Sequence, residues 1–135
     1  MTSKRDPFPA HIRRTEEAEV RQLVSEHNRQ AGRYAENALI LVELGTAAKL
    51  AGLLHDMGKY TLRYRTYLES AVYGEDAVVR GSVNHSFAAV RYLLEHYHGR
   101  ASPCGPLTAE LLAYAAGAHH GLFDCVDGDH RSGFQ

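Results

Sequence analysis

Six side chains at four places in this chain can do chemistry together. His55 and Asp56 stand side by side in the stretch Leu53-Leu54-His55-Asp56-Met57-Gly58-Lys59, at the end of a strongly apolar run; His27 precedes them, His85 follows, and His119-His120 completes the set. Burying an imidazole or a carboxylate without partners is costly. An adjacent His-Asp pair at the end of an apolar segment therefore points to metal ligation rather than packing. Six ligands exceed what one ion takes while leaving room for a substrate, whereas two ions sharing a carboxylate use them all. Asp56 is the natural bridge, because its two oxygens can divide between ions about 3.5–4 Å apart.

Two such ions generate hydroxide near neutral pH and stabilise the attacking and leaving oxygens of an in-line displacement at phosphorus. Phosphoester hydrolysis needs this chemistry. Histidine-rich ligation favours Mn, Fe, Co or Ni over Mg, which prefers oxygen. Lys59, four residues after His55, can reach a phosphate or a carboxylate, or can answer the dipole at a helix C-terminus; the sequence leaves these open. A lone His on an apolar helix face is more often a satisfied core residue, so His27 and His85 gain weight only from the adjacent pairs. His96 shares a helical face with His85 but lies about three turns, roughly 16 Å, away. His11, in the lead-in, is expected to be solvated, and His98 and His130 fall in loops.

The elements that must position these groups follow from the apolar spacing. Residues 1–16, with Pro7 and Pro9 and no sustained period, are expected to be a loosely ordered lead-in to a single domain over 17–135. From a Ser25 cap, His27, Ala31, Tyr34, Ala35, Ala38, Leu41 and Val42 recur at spacings of three and four and predict an amphipathic helix. Thr46 caps a second helix to about Met57, apolar almost all round and so expected mid-bundle. Tyr60, Tyr64, Tyr67 and Leu68 line a third helix after Gly58. A fourth runs from about Asn84 to Tyr97. A fifth follows Thr108, with Leu111, Leu112, Ala115 and Ala118 inward. No alternation of strand type is evident, and the fold class is all-α, a bundle of about five helices around a central metal site.

Composition sets the outer bounds. At 135 residues with 44% hydrophobic and 23% charged, the chain is one ordinary globular domain. No apolar run approaches the ~20 residues of a membrane span, and the N-terminus lacks a signal-peptide pattern, so a cytoplasmic location is expected. Cys104 and Cys125 form no metal or disulfide framework. The net charge of -1 gives no bulk attraction for nucleic acid. The cations are mostly Arg, twelve against three Lys, which suits phosphate forks. Arg63, Arg65, Arg80 and Arg91 flank the metal segments, where a strand approaching the ions would need positive rims and tyrosines for stacking.

The string Ala51-Gly52-Leu53-Leu54-His55-Asp56-Met57-Gly58-Lys59, then Tyr67-Leu68, Asn84-His85-Ser86 and His119-His120-Gly121, resembles the HD nuclease of CRISPR-associated type I interference, within the HD phosphohydrolase superfamily. That module occurs alone or fused to a helicase. The resemblance spans about residues 20–130. It implies an HD-like helical bundle and a metal-dependent nuclease cutting single-stranded DNA exposed by an RNA-guided surveillance complex, in antiviral defence. It also implies His27 as the first metal ligand, His55 and Asp56 as the signature pair with Asp56 bridging, and His85, His119 and His120 as ligands of a second ion. Lys59 matches a lysine near the scissile phosphate; Arg63 and Arg65 are expected as substrate contacts from their place beside the metal segments, not from the resemblance.

The family completes its first metal site with an aspartate on a later helix. Here only Asp124, Asp127 and Asp129 follow the His pair, and the expectation is a domain short of its C-terminal helices. Two other readings stay open. A nucleotide or cyclic-dinucleotide phosphohydrolase would use similar ligands, though no Gly-Tyr-Pro follows the His pair. A non-catalytic metal-binding domain would dock on DNA or a helicase.

Overall fold

The computed structural model describes residues 7–74, 78–79, 81–99 and 105–121. Among them run β1 (Pro9–Arg14), β2 (Glu19–Leu23), α1 (Val24–Leu39), α2 (Gly45–Leu54), α3 (Leu62–Tyr73), α4 (Phe87–Leu93) and α5 (Gly105–Gly117). Short 3-10 turns occupy Ile40–Val42 and Met57–Lys59, and a π turn over Leu94–His98 prolongs α4. The chain is mostly helical, with five helices among the described residues, as the sequence predicts. None of these helices is long and apolar enough to cross a membrane.

Helices α1 and α2 pack closely because glycine lines their crossing. A Cβ on Gly52 would lie 2.8 Å from backbone atoms of Ala31 and Gly32, nearer than carbon atoms approach, so any larger residue would force the helices apart. Asn28 fastens the crossing by donating from Nδ2 to the Leu53 carbonyl at 3.0 Å, and Lys49 pairs with Glu36 at 2.9 Å. This contact sets the start of α1, with His27, beside the end of α2, with His55. The core proper forms where α4 meets α5: Val90, Leu93 and Ala113 are buried together, with Leu54, Phe87, Leu94 and Leu112 against them.

Within the lead-in expected to be loosely ordered, Pro9–Arg14 instead form one strand of an antiparallel hairpin, β1 with β2, and the expected boundary at residue 16 falls within its turn. Thr15 closes that turn through N–H and hydroxyl bonds to the Ala18 carbonyl. The hairpin is tied to α3, where Arg21 donates to Tyr73 Oη at 2.9 Å and pairs with Glu69 at 3.4 Å. It is tied to α1 by the Val24 N–H on the Phe8 carbonyl. Pairing runs regularly from Arg14↔Glu19 to His11↔Gln22 and then slips to Pro9↔Leu23. Ala10 is thus an extra residue, a bulge that re-aims the strand's side chains.

Several finer expectations also change. The buried residues of α1 are Val24, Asn28 and Gly32, whereas Tyr34 is 76% and Leu41 94% exposed; the small and polar face turns inward because it admits α2. Leu41 and Val42 lie past the helix in the 3-10 turn. Helix α2 is not central: most of its residues are half-buried and Leu50 is exposed. In α5 the inward residues are Ala109, Ala113, Ala116 and Gly117, while Leu111 and Ala115 face out. Ser25, Thr46 and Thr108 each fall inside a helix rather than at its cap. Thr61 is a true cap, accepting from the Tyr64 N–H at 3.2 Å.

Candidate metal centre

Each predicted ligand stands at or near a helix end. His27 is in the first turn of α1, His55 directly follows α2, Asp56 comes next, His85 precedes α4, and His119-His120 follow α5. Gly58 allows His85 to reach the others, since a Cβ there would come within 2.7 Å of the His85 Cα. The 3-10 turn over Met57–Lys59 carries Lys59 back toward Asp56.

The five histidines gather around the Asp56 carboxylate, a residue 1% exposed. On one side His27 Nε2 lies 3.1 Å and His55 Nε2 3.3 Å from Oδ2, and these two nitrogens are 3.1 Å apart. On the other, His85 Nε2 and His119 Nε2 lie 3.3 and 3.4 Å from Oδ1, with His120 Nε2 2.8 Å from His85 Nε2. Donor atoms held ~2.0–2.1 Å from a common ion stand roughly 2.9–3.4 Å from one another in octahedral or tetrahedral arrangement. The observed spacings match that range closely. Two groups have ligand atoms all within 4.8 Å of one another: Asp56, His85, His119 and His120, and His11, His27 and Asp56.

Hydrogen bonding at the outer ring nitrogens sets the donors. His55 Nδ1 lies 2.7 Å from the Gly52 carbonyl and His119 Nδ1 2.6 Å from the Ala116 carbonyl. A carbonyl can only accept, so in each neutral ring the proton sits on Nδ1 and the Nε2 lone pair points inward. Among the described residues, His119 Nε2 and Asp56 Oδ1 are both buried and have no hydrogen-bond partner. Two buried acceptors facing each other are stabilised by a cation between them. The residues present fit a metal ion on this ground.

The electrostatics follow. Burial works to raise the Asp56 pKa, but His119, His55, His85 and Lys59 outweigh it and hold the carboxyl well below the usual carboxylate range. Burial lowers His27, and it lowers His120 with His119 adding to the effect, so both favour the neutral, ligating form. His55 is raised: burial opposes protonation, and the hydrogen bond and charge of Asp56 overcome it. Lys59, 3% exposed, places Nζ 2.8 Å from Asp56 Oδ2, so it answers the carboxylate rather than a helix dipole. Burial, aided by the Asp56 charge, pushes the Tyr64 phenol up to about 12 and keeps it a donor.

A cleft of about 630 Å³ opens beside the centre, lined by His11, Lys59, Tyr64, Tyr67, Gly81, Val83, Asn84, His85, Ser86 and His120. A groove of about 420 Å³ shares Val83 and Asn84 with it and is flanked by Arg63 and Arg91. Arg65 lines neither, and its Nε donates to Glu69 at 3.2 Å. Arg80, Asp124, Asp127, Asp129 and His130 lie outside the described residues. His96 packs on Tyr92 and His98 pairs with Glu110 at 2.7 Å, away from the centre.

One member of the cluster is unexpected. His11 is exposed, as read from the sequence, yet it packs its ring 4.8 Å from that of His27 and lines the cleft. The count of nine His was its only sequence signal, since nothing in local spacing links it to His27. Compared with known proteins, the chain matches no family model and no curated protein.

Proposed function

We propose that this chain is a metal-dependent phosphodiesterase of HD type, acting on single-stranded DNA. The observation that carries the metal-hydrolase reading is the convergence of four imidazole nitrogens on the two oxygens of one buried aspartate, with a fifth, from His120, beside that of His85. The HD-like bundle, the DNA substrate, a helicase module and an RNA-guided surveillance complex as partners enter through the resemblance of the segments around His55-Asp56, His85 and His119-His120. The donor set suits Mn, Fe, Co or Ni better than Mg.

When bound, such ions supply Lewis acidity, making hydroxide accessible near neutral pH and neutralising charge on a phosphoryl group. The chain's own residues do the rest. Asp56 remains ionised through the low pKa its neighbours impose, offering an oxygen to each side. The Nδ1 bonds of His55 and His119 fix ring orientation, so no reorganisation is needed to present lone pairs. Lys59 stands at the cleft with its ammonium against Asp56, placing positive charge beside an incoming phosphate. Arg63 and Arg91 flank the adjoining groove, where a second phosphate of a polymer can lie.

The test is cleavage of a single-stranded oligonucleotide by the Mn-, Co- or Ni-loaded protein, beside a panel of nucleotides and cyclic dinucleotides. Oligonucleotide cleavage lost in Asp56→Asn and His119→Ala is the expected result. Turnover of nucleotides alone would move the reading to a nucleotide phosphohydrolase. Folded, metal-loaded protein inert toward every substrate would replace it with a metal-binding docking domain.

A further inference from the structure

The two sides of Asp56 are built differently. The Oδ1 side gathers His85, His119 and His120. Among the described residues the helices give the Oδ2 side His27 and His55, and Lys59 Nζ crowds the same oxygen at 2.8 Å. Two imidazoles and a shared carboxylate leave room on an ion there for a further protein ligand.

The hairpin supplies a third imidazole to that corner. The bulge at Ala10 buries Ala10 and shifts the register just before His11. The His11 ring then stands edge-on to His27 at 4.8 Å, with its ligand atom in one group with those of His27 and Asp56. Polar ties of Arg21 to Tyr73 and Glu69 hold the hairpin against α3, so His11 is presented from a fixed element, as a ligand must be.

We propose that His11 is a direct ligand of an ion on the Oδ2 side of Asp56, so that a β-hairpin outside the helical bundle closes that half of the centre. The proposal rests on the two-ion reading above. It makes hairpin docking and occupancy of this position one event: an ion there ties β1 to α1 and α2.

The test is metal stoichiometry and affinity of the full chain, by elemental analysis and calorimetric titration with Mn(II) and Co(II), with His11→Ala and His11→Asp beside the wild type. Circular dichroism checks that each variant is folded. Wild type is expected to bind two ions. His11→Ala should keep one at unchanged affinity and weaken the other by at least about tenfold, the scale on which even outer-shell losses act. His11→Asp, which retains a donor, should recover much of that loss. In Mn(II)-loaded protein the spin-coupled paramagnetic signal of an ion pair should disappear in His11→Ala and leave an isolated-ion spectrum. Two ions of unchanged affinity in His11→Ala would overturn the proposal. So would a wild type binding one ion, which would mean that the Lys59 ammonium does the work of the second cation. In that last case oligonucleotide cleavage, measured on the same protein, would leave hydrolysis by a single ion standing.

Discussion

Replacing Lys59 by methionine separates the charge balance of the empty centre from that of the loaded one. Lys59 and Asp56 are 3% and 1% exposed and 2.8 Å apart. Removing one partner of such a buried pair leaves the other charge uncompensated, at about 3–5 kcal/mol. The neighbouring imidazoles soften this for Asp56, so the lower end, about 3 kcal/mol, applies. For a domain of this length that is a fall in Tm of roughly 10 °C. The measurement is thermal unfolding by circular dichroism at pH 8 in a chelator, above the ordinary imidazole range, so that proton uptake by the rings does not stand in for the lost ammonium. With saturating Mn(II) or Co(II), an ion neutralises Asp56 and the penalty of Lys59→Met should shrink to below about 1 kcal/mol, since any ligand bound only by the folded state restores stability. Equal losses with and without metal would show that Asp56 is not a ligand. No loss in chelator would show that the Lys59–Asp56 pair is not what stabilises this corner.

Two further outcomes follow from the same geometry. Gly58→Ala drives a Cβ into the His85 backbone, and the required shift should cost about 1–3 kcal/mol and weaken the ion on the Oδ1 side; stoichiometry with chelated-state Tm reads both, and an unchanged affinity would mean that His85 is not held there by this contact. In metal-free protein, stability should fall on acidification below pH 6.5. Burial depresses His27, His11 and His120, the last two helped by Lys59 and His119, so the unfolded chain takes up protons first and stability present above the unfolded value is lost as pH drops through the folded ones. His55, raised by Asp56 against its burial, contributes stability below 6.5 that is lost as pH rises through its folded value; it opposes the other three. A Tm flat or rising from pH 7 to 5.5 would contradict this balance.

Most of the His/Asp cluster was legible because polar pairs at the ends of apolar runs are hard to place in a core, and His55-Asp56 and His119-His120 are such pairs. His11 was not, for a reason visible in the hairpin. Both strands are short and largely exposed, so no face is required to be apolar, and the bulge at Ala10 breaks what alternation remains. The helices were found but their faces were not. In α5, Leu107, Leu111, Leu112 and four alanines leave too little polar surface to mark the outward side; packing chose Ala109, Ala113 and Ala116, whose small side chains admit α4 closely, and left Leu107 and Leu111 outside. The same preference for close approach turned Asn28 and Gly32 of α1 inward in place of Tyr34. Periodicity records the amount of apolar surface on a face, whereas these contacts were decided by how near two backbones can come.

The ends of α2 and α5 solve one local problem in the same way, and the solution is also the chemistry. A helix leaves its last carbonyls without intrahelical donors. In α2 the Ala51 carbonyl accepts the His55 N–H, the Gly52 carbonyl the His55 ring, and the Leu53 carbonyl the Asn28 amide. In α5 the Tyr114 carbonyl accepts the Ala118 N–H and the Ala116 carbonyl the His119 ring. In both, a histidine folds back three residues to satisfy the helix end with Nδ1–H, and in the neutral ring that bond leaves the Nε2 lone pair turned toward the cluster. Helix termination and ligand orientation are therefore one interaction. Removing either ring exposes a carbonyl as well as losing a donor, which is why His55 and His119 couple the stability of α2 and α5 to the centre more tightly than His120, which stands at the rim of the cleft.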